Sequence, residues 1–176
     1  TLGLTMGWYP TVEYLFRPLF ELVRPIPTLA WIPLVILWCG IGEVAKYMLV
    51  FIGAFMSITQ NAYMGAKSVD KTICNAAKML GCNDRQLFFT VVIPASVPAI
   101  SAGLQIGVAG AWSSVVAAEL VRSASGVGWL VSTGQNNNDM GQVLIGILAI
   151  AVIGLILAVL IRKVEDVLCR WNKRGR

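Results

Sequence analysis

The sequence has no histidine, and charged residues make up only 13% of it, against about 25% in soluble proteins. Its four cysteines show no Cys-x-x-Cys spacing. These absences argue against a zinc site and against catalysis by imidazole. Gly-x-Ser-x-Gly and His-Glu-x-x-His motifs are also missing, so an intramembrane enzyme would have few groups to work with. We therefore expect no catalytic residue, no metal and no cofactor.

Hydrophobic residues, which make up 57% of the chain, indicate an integral membrane protein. The clearest spans are residues 143–161 and 94–118, which carry no charge and are long enough, at ~1.5 Å per residue, to cross most of a ~30 Å hydrocarbon core. Two weaker spans, 44–62 and 26–41, bring the expected number of crossings to about four. The last of these contains two prolines, which predict a kinked or broken helix.

The distribution of lysine and arginine predicts the orientation, because these residues accumulate on the cytoplasmic side of a membrane. Residues 162–176 contain six basic and two acidic residues, and residues 63–93 contain four basic and two acidic residues. Both stretches should be cytoplasmic. The basic tail directly follows a span, so we interpret it as an anchor that attracts anionic lipid and not as a nucleic-acid patch. At the other end, residues 1–25 predict a helix end, a turn and an amphipathic helix near the membrane interface.

A polar segment, residues 70–93, interrupts the apolar pattern. Asp70 can cap a helix over residues 71–80, and Gly81 can end it in the left-handed conformation that glycine tolerates. Asn83 followed by Gln86 is typical of the start of a second helix. The segment therefore predicts a helix, a tight turn and a second helix that could dock a cytoplasmic partner. The alternative is an ordinary solvated loop.

The span that follows has two different faces. At 100° per residue, one face carries the polar or amphipathic side chains of Ser101, Gln105, Trp112 and Glu119. A nearly opposite stripe of small residues, which would let helices approach closely, contains Gly103, Gly107, Gly110 and Ser114. Our hypothesis is that the polar face lines a translocation pathway. The alternative is that Gln105 makes an interhelical hydrogen bond and that Trp112 and Glu119 lie at helix ends.

Residues 75–94 resemble the cytoplasmic motif of permease subunits of bacterial binding-protein-dependent ATP-binding-cassette (ABC) importers. That motif is Glu-Ala-Ala, three residues, Gly, nine residues, then Ile-x-Leu-Pro. The residues at the corresponding positions here are Asn75, Ala76, Ala77, Gly81, Val91, Ile93 and Pro94. Asn75 replaces the usual glutamate. The run IPTLAWIPLVILWCGIG at residues 26–42 is similar to the nitrate, sulfonate and taurine permease group, and so are AAEL and SGVGWL further along. The resemblance covers nearly the whole chain.

This resemblance implies a fold and a function. The fold would be an all-α, polytopic type I ABC importer permease: a single transmembrane domain over residues 1–176, with further N-terminal spans outside this chain. It would form half of the pathway for a small anion or zwitterion such as nitrate, an alkanesulfonate or taurine. Residues 70–93 would couple to a separate ATPase, through Asn75, Ala76, Ala77, Gly81, Asn83, Leu87 and Pro94.

The resemblance also implies partners and a location. Cytoplasmic ABC ATPase subunits would hydrolyse ATP, because the sequence has no Gly-x-x-x-x-Gly-Lys-Ser/Thr motif. An extracytoplasmic solute-binding protein would deliver solute, and a second permease subunit, by default a second copy, would complete the pathway. We expect a multi-pass protein of the bacterial cytoplasmic (inner) membrane that contacts lipid and no nucleic acid. A secondary transporter or channel without an ATPase is the alternative.

Overall fold

The computed structural model describes residues 2–121 and 123–169, apart from the side chain of Leu168. Within these residues the chain is helical and contains no strand, which confirms the predicted fold class. The α-helices are α1 (Leu2–Trp8), α2 (Pro10–Val23), α3 (Ile32–Cys39), α4 (Glu43–Lys67), α5 (Lys71–Met79), α6 (Asp84–Leu87), α7 (Ile93–Val121), α8 (Val127–Asn136) and α9 (Met140–Leu168). A 3₁₀ turn, Thr28–Trp31, precedes α3, and a π-helical turn, Phe88–Val92, joins α6 to α7.

The candidate membrane spans are fewer than the four expected crossings. Two helical stretches of the described residues, Asp84–Val121 and Met140–Val167, are long and apolar enough to cross a bilayer. A third qualifies only if Pro10–Val23 and Thr28–Cys39 count as one broken span. Helix α4 has 25 residues, which is sufficient length, but its polar residues around Gln60 lower its hydropathy. The predicted crossing at residues 44–62 is therefore not supported by composition.

Local sequence signals explain where several helices begin and end. The predicted turn near the N-terminus is confirmed, because α1 ends at Trp8 and α2 begins at Pro10. Proline suits this position, since a first-turn residue needs no N–H donor. The predicted break in residues 26–41 is also present, as the 3₁₀ turn followed by the short helix α3. The predicted basic tail lies mostly outside the described residues, which end at Cys169.

The chain divides into two compact units. The first contains Thr1–Pro25, Met56–Gln105 and Lys163–Arg176. Its core packs α1 against α4 and the π-helical turn before α7, through Leu4, Ala62, Ala66, Phe88 and Val92. A Cβ atom added to Gly3 would lie 2.2 Å from the carbonyl oxygen of Thr59, so α1 and α4 are in backbone contact here. Only glycine allows this close approach.

The second unit contains Ile26–Phe55 and Ile106–Arg162. Its core packs α3 against α4 and the end of α7, through Ile32, Val35, Ala45, Leu49 and Ala118. Leu49 is fully buried. Helix α9, in contrast to the buried Leu49, is mostly exposed, because only 6% of its most apolar stretch is buried. Its surface is therefore available to lipid or to another membrane protein.

The small-residue stripe of α7 packs as predicted. In the first unit, a Cβ on Gly103 would lie 2.5 Å from the Cβ of Asn61 on α4. In the second unit, a Cβ on Gly53 of α4 would lie 3.3 Å from both the amide nitrogen of Ala111 and Ser114 Oγ. Small residues therefore bring α4 and α7 together at both positions, as expected where packing rather than the hydrophobic effect holds helices together.

Candidate functional site

The polar segment, residues 70–93, forms the predicted helix-turn-helix, made of α5, a turn and α6. Asp70 caps α5, because its carboxylate accepts a hydrogen bond of 2.8 Å from the backbone N–H of Thr72. This hydrogen bond lowers the pKa of Asp70 below its usual value. At the second helix, Gln86 Oε1 accepts a hydrogen bond of 3.0 Å from the N–H of Asn83. The segment is therefore helical at both ends of the turn and is not an irregular loop.

The turn between the two helices depends on Gly81. Its φ is +87°, a conformation that residues with a side chain rarely adopt. The N–H of Gly81 donates to the carbonyl of Lys78, and the N–H of Cys82 donates to that of Ala77. This pair of hydrogen bonds is the Schellman arrangement, which satisfies two carbonyls that the helix end leaves free. Lys78 and Asp84 also form an ion pair of 3.1 Å across the turn, but both are exposed and the pair contributes little.

One face of this segment is apolar and exposed. Met79 and Leu80 are 89% and 86% exposed, and Ile73 is 55% exposed. Ile73, Ala76 and Leu80 lie on the same side of α5 by helical spacing. Met79 lies at the edge of this side, and we call the four residues Ile73, Ala76, Met79 and Leu80 the coupling patch. Apolar groups concentrated at the tip of an otherwise polar segment indicate an interaction surface.

The predicted coupling residues differ in how exposed they are. Asn75, Ala76, Gly81, Asn83 and Pro94 are exposed, and Ala77 is half-buried. Leu87 is fully buried, so it can support the segment only by packing beneath it. Sequence reasoning missed Met79, although its position beside Leu80 at the turn made it a candidate.

The π-helical turn before α7 has a chemical cause. Pro94 has no N–H, and its ring would collide with the carbonyl four residues earlier in a regular helix. The wider turn over Phe88–Val92 accommodates this proline. Phe88 and Val92 are buried in the core of the first unit, so the second helix of the segment is joined to that core. A force applied at the segment would act directly on packed residues.

In the first unit, α7 carries two of the predicted pathway residues. Ser101 is buried, and its Oγ lies 3.5 Å from Cys169 Sγ. Gln105 is half-buried, and its amide makes no hydrogen bond with any residue that the structure describes. Of this pair, Gln105 is therefore the residue whose polar group has no hydrogen-bond partner among the described residues.

In the second unit, Trp112 and Glu119 have different surroundings. A Cβ added to Gly154 on α9 would lie 3.3 Å from Trp112 Nε1, so the indole packs against α9. Glu119 is only 8% exposed and accepts a hydrogen bond of 2.9 Å from the backbone N–H of Gly128, at the start of α8. A carboxylate is favourable there, because the free N–H groups of a helix start carry partial positive charge.

The loop before α8 is shaped around the carboxylate of Glu119. A Cβ on Gly126 would lie 2.3 Å from this carboxylate, and φ of Gly126 is +115°. Lys46 Nζ lies 3.7 Å from Glu119 Oε1 and pairs more closely with Glu43, at 2.9 Å. Sequence reasoning missed Lys46, Gly126 and Gly128 as neighbours of Glu119. The Gly-x-Gly spacing of residues 126–128 was the available sequence signal for this loop.

Known proteins similar to this chain are transport permeases. The model of the family described as binding-protein-dependent transport system inner membrane component matches residues 1–168. A putative ABC transporter permease of Methanocaldococcus jannaschii is 42% identical over 173 residues, which cover 98% of this chain and 65% of that protein. A probable ABC transporter permease of Brucella abortus (strain 2308) is 38% identical over 174 residues, covering 99% and 70%.

A relative with a named solute also matches almost the whole chain. The taurine transport system permease of Escherichia coli (strain K12) is 37% identical over 171 residues, covering 97% of this chain and 62% of that protein. More distant matches, at 32% and 30% identity, are a putative aliphatic sulfonates transport permease of Bacillus subtilis and a nitrate import permease of Synechocystis. These matches confirm the resemblance drawn from the sequence motifs: this chain belongs to the family of inner membrane components of binding-protein-dependent transport systems.

Proposed function

We propose that this protein is the permease subunit of an ATP-driven importer in the bacterial inner membrane, and that it couples to a separate ATPase through the coupling patch. The observation that carries the proposal is the exposure of Met79 and Leu80 on a segment that is capped at both helix starts. A short helical segment that exposes apolar side chains at its tip suits a groove on a partner. The family position of the segment supports an ATPase as that partner.

The implied cycle uses two ATPase subunits and two permease subunits. ATP binding closes the ATPase pair and draws the two coupling segments together. Because each segment continues through the buried Phe88 into α7, the movement reaches the membrane helices. A solute-binding protein on the outer side delivers the solute, and a second permease subunit, by default another copy of this chain, completes the pathway.

The relatives support a small anionic or zwitterionic solute, because their names refer to taurine, aliphatic sulfonates and nitrate. We propose that the polar face of α7 borders the pathway, and Gln105 is its best candidate, because its amide has no described hydrogen-bond partner. In a variant without native cysteines, Gln105→Cys should react with a small water-soluble thiol reagent, and solute should alter the reaction rate. A labelling rate that solute does not change would remove Gln105 from the pathway.

The coupling proposal is tested by the affinity of the permease for its ATPase. Leu80→Ser removes an exposed apolar side chain from the coupling patch. Lys71→Ser is the matched control, because Lys71 is exposed on the opposite side of the same helix. Burial of one leucine is worth about 1.5–3 kcal/mol, so Leu80→Ser should weaken the complex by roughly ten-fold or more. Equal affinities of the two variants would contradict the proposal.

A further inference from the structure

Helix α2 directs its charged side toward the end of α4. Glu13 Oε1 accepts a hydrogen bond of 2.7 Å from Tyr63 Oη on α4 and also pairs with Lys67. Arg17 forms ion pairs with Glu13 and Glu21 along α2, at 3.1 and 2.7 Å. The outward side is apolar, and its most exposed residues are Tyr14, Leu15, Leu19 and Leu22.

An exposed apolar side of this kind is stable when it meets the hydrocarbon of a membrane. Helices that lie in the interface bury such a side at the boundary between headgroups and acyl chains. The charged side, where α2 meets the end of α4, is then held at the level of the headgroups. Lys67 lies within the basic stretch that the charge distribution assigns to the cytoplasmic side.

A cavity of about 280 Å³ opens on this charged side, within the first unit. Its polar lining includes the cationic residues Arg17, Arg24 and Lys67, the acidic residue Glu21, and Gln60. Phe20 and the exposed Met64 supply apolar lining. The volume is near the lower end of ligand pockets, which begin at about 300 Å³, and it suits a headgroup rather than a large solute.

The cations of this cavity are not fully neutralised. Glu13 and Glu21 pair with Arg17 and Lys67, but no described residue forms an ion pair with Arg24. The amide of Gln60 likewise makes no hydrogen bond within the part of the chain that the structure describes. The cavity thus offers one uncompensated positive charge and free N–H donors, which match a phosphate diester with a single negative charge.

We propose that this cavity binds the phosphate of an anionic phospholipid headgroup in the cytoplasmic leaflet. Arg24 supplies the charge that attracts it, and Gln60 supplies a hydrogen-bond donor. The apolar side of α2 lies among the acyl chains beside the bound lipid. None of the residues that line the cavity belongs to the coupling patch or to the polar face of α7.

The test is lipid retention by the intact protein in nanodiscs of equal parts phosphatidylglycerol and phosphatidylcholine, with native mass spectrometry as the readout. The variants are Arg24→Gln and, as a matched control, Arg85→Gln. Both arginines are exposed and form no ion pair with a described residue, so neither change should disturb folding. A basic residue near an anionic membrane surface is worth about 1 kcal/mol, which corresponds to a roughly five-fold loss of phosphatidylglycerol in Arg24→Gln.

Three outcomes are distinguishable. Selective retention of phosphatidylglycerol by the wild type and Arg85→Gln, with the loss confined to Arg24→Gln, would support the site. Equal retention by all three proteins would overturn it. Binding of inorganic phosphate by the wild type but not by Arg24→Gln, with phosphatidylglycerol retained equally by all three proteins, would show a site for free phosphate and would overturn the lipid assignment.

Discussion

Gly126→Ala should be much more harmful than Gly81→Ala, although both replace a glycine with positive φ. At Gly81 no atom lies within 4 Å of the added Cβ, so the cost is backbone strain, about 1–2 kcal/mol. At Gly126 the added Cβ would lie 2.3 Å from the carboxylate of Glu119, which must move. Movement breaks the hydrogen bond from Gly128, and a hydrogen bond to a charged group is worth about 1.5–3 kcal/mol. Gly126→Ala should therefore cost about 2.5–5 kcal/mol in total.

The assay is thermal unfolding in detergent micelles, followed by circular dichroism, for the two alanine variants and for Glu119→Ala with and without Gly126→Ala. If the collision is real, removal of the carboxylate leaves only strain at position 126. The two changes should then be less destabilising together than the sum of their separate effects, by about 2 kcal/mol. This account of the loop would be refuted if Gly126→Ala destabilised the protein no more than Gly81→Ala does. It would also be refuted if the effects of Gly126→Ala and Glu119→Ala were strictly additive.

Three further predictions each test a single contact, two by thermal unfolding and one by hydrogen exchange. Glu119→Gln should unfold at a higher temperature than Glu119→Ala, because an amide oxygen still accepts the hydrogen bond from Gly128; equal values would contradict that role. Gly103→Ala, whose Cβ would lie 2.5 Å from Asn61, should cost about 1–3 kcal/mol while Gly42→Ala, which meets open space, costs little. The carboxylate of Asp70 should protect the amide of Thr72 from hydrogen exchange at pH values above the unfolded-state pKa of about 3.9. The amide should lose this protection as pH falls through the lowered folded-state pKa of Asp70. Protection that does not change in acid would contradict the cap.

Local rules in the sequence were sufficient to predict the helix-turn-helix segment. Asp70, Gly81 and Gln86 each act through a backbone group within three residues, so their roles can be inferred without knowledge of the rest of the fold. The two most apolar spans and the small-residue contacts between α4 and α7 were predictable for a similar reason. Each depends on composition or helical spacing.

Features that depend on distant parts of the chain were not predictable. The sequence alone could not place Lys46 beside Glu119, nor direct the charges of α2 toward Tyr63. It also did not indicate that Leu87 would be fully buried. The crossing at residues 44–62 is the hardest of the expected spans to read from hydropathy, because polar residues in the second half of α4 weaken a signal that its length would otherwise support.

The most direct test of the central claim is solute uptake by proteoliposomes that contain the intact permease, its candidate ATPase and the solute-binding protein. Uptake of labelled taurine, sulfonate or nitrate should require both ATP and the ATPase. Gly81→Pro should abolish it, because proline cannot adopt a φ of +87° and cannot donate the hydrogen bond to Lys78. Uptake without the ATPase would contradict the proposed coupling and would favour a secondary transporter. Uptake that Gly81→Pro leaves unchanged would contradict the role of residues 70–93 in coupling.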